Sequence, residues 1–260
     1  MRRTLVLVPL VLALVPASAG TSAAVGARAP VALTAAPARL LLRGSEATVV
    51  RVRNSGTKAV AVDVARAGFA LDLRGRPKIV KRRAARCAAR WLTFRPAHFV
   101  LGARATAHLL VTAKVPSGAA PGDHDAVVLL TTRPVARARV AVRLRMGVVV
   151  VVRAPGKVVR RLRLPRLRVA REGAARALQL VVVNAGNVTE PLRRVRIVLS
   201  RARRRRLATL SASPRDLRPH TRGVLEFHLR ARLRGWLIAS VVVPAEPGRP
   251  ITRRAFRLRL

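Results

Sequence analysis

One cysteine, Cys87, stands in 260 residues. A single thiol closes no internal disulfide and cannot build a cysteine-ligated zinc centre. By itself it reads as a small, part-buried apolar residue. Tyrosine is absent, and the aromatic residues amount to five Phe and two Trp. A site that stacks sugar rings, unpaired bases or quaternary amines on aromatic faces has few residues to use. Acidic residues number ten against 53 Lys and Arg, a formal net charge of +43. A GC-rich genome accounts for arginine in place of lysine. It does not account for the shortage of Asp and Glu, whose codons are GC-rich too. The excess is therefore a physical property of the surface, which attracts polyanions in a salt-dependent way. Anionic lipids, anionic wall polymers and nucleic acid are the classes to consider. Long apolar runs are missing beyond the N-terminus. The longest uncharged one, Met146 to Val152, falls far short of the ~20 residues that a spanning helix needs.

What is there begins with an apolar fraction of 51%, ample for a core. Residues 1–19 have the layout of a secretory signal peptide. Arg2 and Arg3 precede the apolar stretch Leu5 to Val15, and Ala17-Ser18-Ala19 supplies a small-residue cleavage site, with a cut after Ala24 as the alternative. The C-terminal run Phe256 to Leu260 alternates, has no hydrophobic tail and carries no Leu-Pro-x-Thr-Gly motif. The product is expected to be secreted, and to be retained at the cell envelope by non-covalent contacts.

From about Val31 onward the pattern is all-β. Thr48 to Arg53 and Lys58 to Ala67 alternate on either side of Asn54-Ser55-Gly56-Thr57, which predicts a hairpin. Gly68 to Arg90 predicts a long basic loop with a short strand near Ile79-Val80. Strands follow at Trp91 to Phe94, His108 to Val115, His124 to Thr131 and Val135 to Val152. Ala154-Pro155-Gly156-Lys157 reads as a linker, after which the layout restarts: strand, Asn184-Ala185-Gly186 turn, strand, and later a Trp-anchored strand at Trp236. Seven or so short strands per ~100 residues is the size of an immunoglobulin-like sandwich. The expected architecture is two tandem sandwiches, 30–154 and 157–260.

Asp123-His124-Asp125 invites a catalytic or metal-binding reading. On a strand, neighbours point to opposite faces, so His124 turns away from both aspartates and no hydrogen-bonded His–Asp pair results. His98, His108, His220 and His228 are scattered without metal-ligand spacing, and no nucleophile elbow, phosphate loop or dinucleotide fingerprint occurs. No enzyme, cofactor or metal site is expected. The residues with a binding chemistry are arginines. Arg139, Arg143 and Arg145 alternate with apolar residues along one strand, and Arg201, Arg203, Arg204, Arg205 and Arg206 crowd a predicted hairpin tip. Guanidinium groups so placed grip phosphates or carboxylates by paired hydrogen bonds. They serve equally as a solvated basic surface. Nucleic acid is disfavoured by the signal peptide and by the lack of a recognisable binding fold.

The order Trp91, Pro96, Phe99, Leu101, Val111, Val115-Pro116, Ala120-Pro121-Gly122, then a basic strand ending in Val148 to Val152 and Pro155-Gly156, resembles the peptidoglycan-binding domain of the WxL-protein-interacting family. A second all-β domain follows in that family. Here it starts near Val158 and carries Val183 to Asn187, Leu217-Arg218-Pro219 and Arg234-Gly235-Trp236. The resemblance implies a non-enzymatic envelope protein. Its partners would be peptidoglycan or an anionic wall polymer or envelope surface, with another surface protein bound by the second domain. The alternative expectation is a chaperone-like factor for surface or pilus proteins, acting by strand pairing at the segment Val148 to Val152.

Overall fold

A computed structural model describes residues 31–80, 86–133, 143–172, 175–201, 206–229 and 233–260. The signal-peptide stretch and Arg139, Arg203, Arg204 and Arg205 lie outside the described residues. Among the described residues every regular element is a strand, apart from one 3-10 turn at Ala89–Trp91. The chain forms two tandem immunoglobulin-like β-sandwiches, and the alternating apolar and basic sequence gives the reason. An alternating strand buries one face and solvates the other, and two such faces must meet to close a core.

The first sandwich contains β1 (Leu33–Ala36), β2 (Arg39–Arg43), β3 (Ala47–Asn54), β4 (Val60–Leu71), β5 (Pro77–Val80), β6 (Leu92–Arg95), β7 (His98–Leu101), β8 (Thr106–Ala113), β9 (Gly122–Thr132) and β10 (Arg145–Ala154). One sheet runs β1-β3-β8-β6 and the facing sheet β2-β10-β9-β4-β5, with β7 also on β4. Between them lie Val50, Val52, Leu92, Leu109, Val128, Leu130, Val148 and Val150, all fully buried. Each such side chain removed from water is worth about 1.5–3 kcal/mol.

Asn54-Ser55-Gly56 does not close a hairpin. β3 and β4 belong to opposite sheets, and the turn between them is a corner. Asn54 is fully buried. Its amide donates to the carbonyls of Lys58 (2.8 Å) and Gly102 (3.0 Å), while its Oδ1 accepts from the Gly56 N–H (3.0 Å). Those bonds satisfy the backbone groups of the corner in place of a ladder. The predicted loop after Gly68 is also partly strand, since β4 continues to Leu71 and pairs with β5.

The N-terminal segment changes sheets at Pro37-Ala38. β1 pairs with β3, whereas β2 runs parallel to β10 on the other sheet, beginning at the pair Arg39 and Val149.

The second sandwich contains β11 (Leu162–Glu172), β12 (Ala175–Asn184), β13 (Glu190–Leu192), β14 (Arg196–Ser200), β15 (Arg206–Ser211), β16 (Arg215–Leu217), β17 (Arg222–Leu229), β18 (Trp236–Val243) and β19 (Thr252–Arg259). Its sheets are β11-β12-β17, β13-β16 and β15-β14-β18-β19. Leu178, Leu180, Val182, Ile197, Leu199, Phe227 and Ala239 form its core. Asn184 repeats the corner of the first sandwich. Its amide donates to the Val188 (2.8 Å) and Leu217 (3.0 Å) carbonyls and its Oδ1 accepts from Gly186 N–H (2.9 Å).

Candidate functional site

Two features stand out: the seam between the sandwiches, and one incompletely paired strand that runs away from it. The seam is built on the Asp123-His124-Asp125 triplet at the start of β9. The alternation along the strand holds. His124 faces inward, 4.3 Å from the Trp91 ring centroid, with Nε2 2.8 Å from the Ala120 carbonyl. Burial holds the imidazole below its ordinary pKa, the Ala120 contact opposing it.

The two aspartates face outward, toward the second sandwich. Asp123 accepts from Arg153 of β10 through both carboxylate oxygens (2.7 and 3.1 Å) and from the Thr189 N–H (2.7 Å). Asp125 accepts from Arg218 Nε at 2.5 Å, and the same guanidinium donates to the Phe69 carbonyl and lies 4.9 Å from the Phe69 ring centroid. Burial raises the Asp125 carboxyl, with Arg218 opposing that shift. Arg215 donates across the seam to the Leu73 carbonyl (2.7 Å), and Arg39 pairs with Asp216. Burial lowers the Arg215 guanidinium pKa. A cavity of about 330 Å³ sits at this seam, lined among others by Arg39, Phe69, Val149, Val151 and Asp216.

Backbone contact is close as well. Asp123 N–H donates to the Asn187 carbonyl at 2.8 Å. Gly122, at φ +105, brings the chain so near that a Cβ would lie 2.1 Å from that same oxygen. Only glycine fits there.

The second feature is β10. Its run Val148 to Val152 is not an exposed pairing edge, as the sequence suggested. Antiparallel β9 lies on one side along the whole strand, and parallel β2 lies on the other from Val149 to Arg153. The valines are covered because β2, more than a hundred residues earlier in the chain, occupies that edge. The open part is the preceding stretch, Arg145 to Val148. Leu144 and Thr132 face each other as a hydrogen-bonded pair, Thr132 N–H donating to the Leu144 carbonyl at 2.9 Å. By alternation, residues 146, 148 and 150 turn their backbone groups toward β9, and residues 145, 147 and 149 turn theirs away. Val149 N–H accordingly meets the Ala38 carbonyl at 3.0 Å. Arg145 and Gly147 have no such neighbour among the described residues. Their N–H and C=O groups form a short row of unused strand-pairing positions.

Among the arginines singled out in the sequence, Arg143 and Arg145 are exposed at the start of this open edge. Arg201 and Arg206 are exposed at the two ends of the β14–β15 connection, in the other sandwich. The described arginines therefore form two separate groups. Sequence reasoning missed the seam, because Asp125 and Arg218 are 93 positions apart and nothing local links them. The low acid count was the available signal: with so few carboxylates, buried ones claim structural roles.

No family model matches the chain, and no curated protein matches it. Solved structures do. A chain from the chaperone–tip adhesin complex of CFA/I fimbriae biogenesis superposes with a TM-score of 0.51 at 11% identity, covering 86% of this chain and 98% of that one. The class 5 fimbriae chaperone CfaA gives 0.48 at 12% identity over 88% and 100% of the two chains. A Salmonella enterica SafA pilin–SafB chaperone complex gives 0.45 at 12% over 88% and 96%. These findings correct the resemblance drawn from the sequence. No WxL-interacting family model matches, and the similar folds are those of fimbrial chaperones. The quoted residues are ones that a sandwich of this kind puts at its corners and strand ends, such as Pro96 after β6 and Pro116 to Gly122 before β9. The expected function of binding peptidoglycan or an anionic wall polymer falls with that resemblance, and so does the expected wall or anionic envelope-surface partner. What the comparisons share with this chain is the fold, a pair of tandem immunoglobulin-like sandwiches matched along nearly their full length.

Proposed function

We propose that this chain is an exported, non-enzymatic chaperone-like factor for subunits of a surface fibre, receiving an extended client strand along the open edge of β10. The observation that carries the reading is that the outward backbone groups of Arg145 and Gly147 meet no strand among the described residues, while β10 is paired on both sides from Val149 to Arg153. A client strand laid there gains main-chain hydrogen bonds to those groups, the mode of β-augmentation. Arg143 and Arg145 place positive charge beside the incoming segment. The division into sandwiches at 30–154 and 157–260 leaves the client edge wholly on the first. The fold likeness supports this reading, since the similar structures include chaperones in complex with a tip adhesin or a pilin.

The test is co-expression of the full chain with candidate fibre subunits, followed by purification and hydrogen exchange. The expected result is a one-to-one complex in which the Arg145 and Gly147 amides gain protection. Arg145→Pro removes one of those donors at a strand start, where proline is tolerated, and should abolish the complex while leaving the fold intact. A complex that forms without protection of those two amides would refute strand pairing at β10.

A further inference from the structure

The outer face of the sheet β15-β14-β18-β19 carries a second surface, on the opposite sandwich from the open edge. Inward positions of β18 are Leu237, Ala239, Val241 and Val243, all buried, which turns Trp236, Ile238, Ser240 and Val242 outward. Register then fixes the outward neighbours. Arg259 lies beside Trp236, Arg257 beside Ile238, and Arg253 beside Val242 on β19. Arg196 lies beside Val242 on β14, and Arg206 of β15 pairs with Ser200, which itself neighbours Ile238. Five arginines thus share one face with a tryptophan that is 57% exposed and an isoleucine that is 40% exposed.

No acidic residue shares that face. In the second sandwich Glu190, Asp216 and Glu226 lie on β13, β16 and β17, Glu172 ends β11, and Glu246 follows β18. None of the five arginines has a carboxylate partner among the described residues. The opposite sheet differs. There Arg168 donates to Gln179, which donates to Glu226. Arg257 instead lies 4.8 Å from the Trp236 ring centroid, a cation–π contact. Tryptophan and arginine are the residue types that dominate binding hot spots. A rigid sheet presents them at fixed spacing, about 4.8 Å across strands and about 6.8 Å between alternate residues of one strand.

We propose that this face is a docking surface for an acidic protein, one that presents carboxylates around an apolar patch seated on Trp236 and Ile238. Charge complementarity selects the partner: the face offers five guanidinium groups and no carboxylate, so a neutral or basic surface leaves their positive charge unmatched. A nucleic acid is the poorer match, because single-strand binding rests on several stacking aromatics and this face exposes one. The proposal does not depend on the reading of β10.

The probe is fluorescently labelled poly-L-glutamate, titrated against the full chain and read by anisotropy at low and high salt. Arg253→Glu/Arg257→Glu is expected to weaken binding at least about tenfold. Arg51→Glu/Arg53→Glu, on the outer face of the first sandwich and equal in charge change, is expected to weaken it less than about twofold. Arg257→Gln/Arg259→Gln is read alongside, so that misfolding of the glutamate variant does not decide the outcome. Trp236→Ser removes the ring that Arg257 packs on and is expected to weaken binding several-fold without any change in charge. Equal losses from the two sandwiches would overturn the proposal. So would tighter binding of a single-stranded DNA oligonucleotide, or of vesicles of anionic phospholipid, through the same residues.

Discussion

Replacing Arg218 by Met should cost far more than its position in a loop after β16 suggests. The side chains of Asp125 and Arg218 are 2% and 11% exposed, respectively. Removing the guanidinium leaves a buried carboxylate uncompensated, which costs about 3–5 kcal/mol. It also removes the donor to the Phe69 carbonyl and the cover over its ring. With a urea dependence of about 1–3 kcal/mol per molar for a small domain, the midpoint should fall by at least about 1 M. Each sandwich holds one tryptophan, Trp91 in the first and Trp236 in the second. Single-tryptophan variants therefore report the two transitions separately, and Arg218→Met should draw them apart. The companion variant Asp125→Asn/Arg218→Met removes both charges and should recover most of the loss. The pH dependence has a definite sign. Burial raises the Asp125 carboxyl above its ordinary 3.8, so the penalty for holding it ionised is absent below that value and grows as pH rises through the folded pKa. Arg218→Met removes the group that opposes the shift, and its deficit should be larger at neutral pH than near pH ~4. A single-variant loss below about 1 kcal/mol, or a double variant as unstable as the single, would refute the argument.

Gly122→Ala should destabilise by about 2 kcal/mol or more, because it combines a left-handed backbone with a Cβ driven into the Asn187 carbonyl. Gly118→Ala, where a Cβ meets nothing within 4 Å, is the matched control in the same urea experiment. The depressed pKa of His124 gives stability that is fully present above the ordinary value of 6.5 and is lost as pH falls through the folded pKa. His124→Gln should flatten that part of the stability–pH profile, and an unchanged slope would point to another group. The exposed Asp63–Arg133 pair has side chains 42% and 63% exposed. Asp63→Asn should accordingly leave the thermal midpoint nearly unchanged at moderate salt.

Strand content was legible in the sequence because alternation needs only neighbours. The partner of each strand was not. The segments flanking Asn54 alternate as hairpin arms do, and what sends them to different sheets is the buried amide of Asn54 reaching Gly102, 48 positions away. The shared Asn-x-Gly layout of the two halves was sound in a more physical sense than spacing, since Asn54 and Asn184 make the same set of bonds. Face alternation also placed His124 and its flanking aspartates correctly, while the Arg218 that gives Asp125 its role was out of local reach. The valine run reads equally as a buried continuation or as a pairing edge, and it was ambiguous for the same reason. A run of β-branched residues looks alike whether its edge is open or taken, and only the sheet change at Pro37-Ala38 tells which.

That sheet change has a consequence for behaviour in concentrated solution. Because β2 pairs with β10 only from Val149 onward, an edge left free at Arg145 and Gly147 would accept an extended backbone, including the same stretch of another copy. Two β10 edges meeting antiparallel would bring Arg143 and Arg145 of each against those of the other, and like charges directly opposed disfavour pairing. If β10 receives a client strand there, the arginines at the mouth of the edge would guard against homotypic assembly while a client strand with acidic residues would pass. Neutralising them, or raising the salt, should make the apparent mass rise more steeply with protein concentration, as read by light scattering.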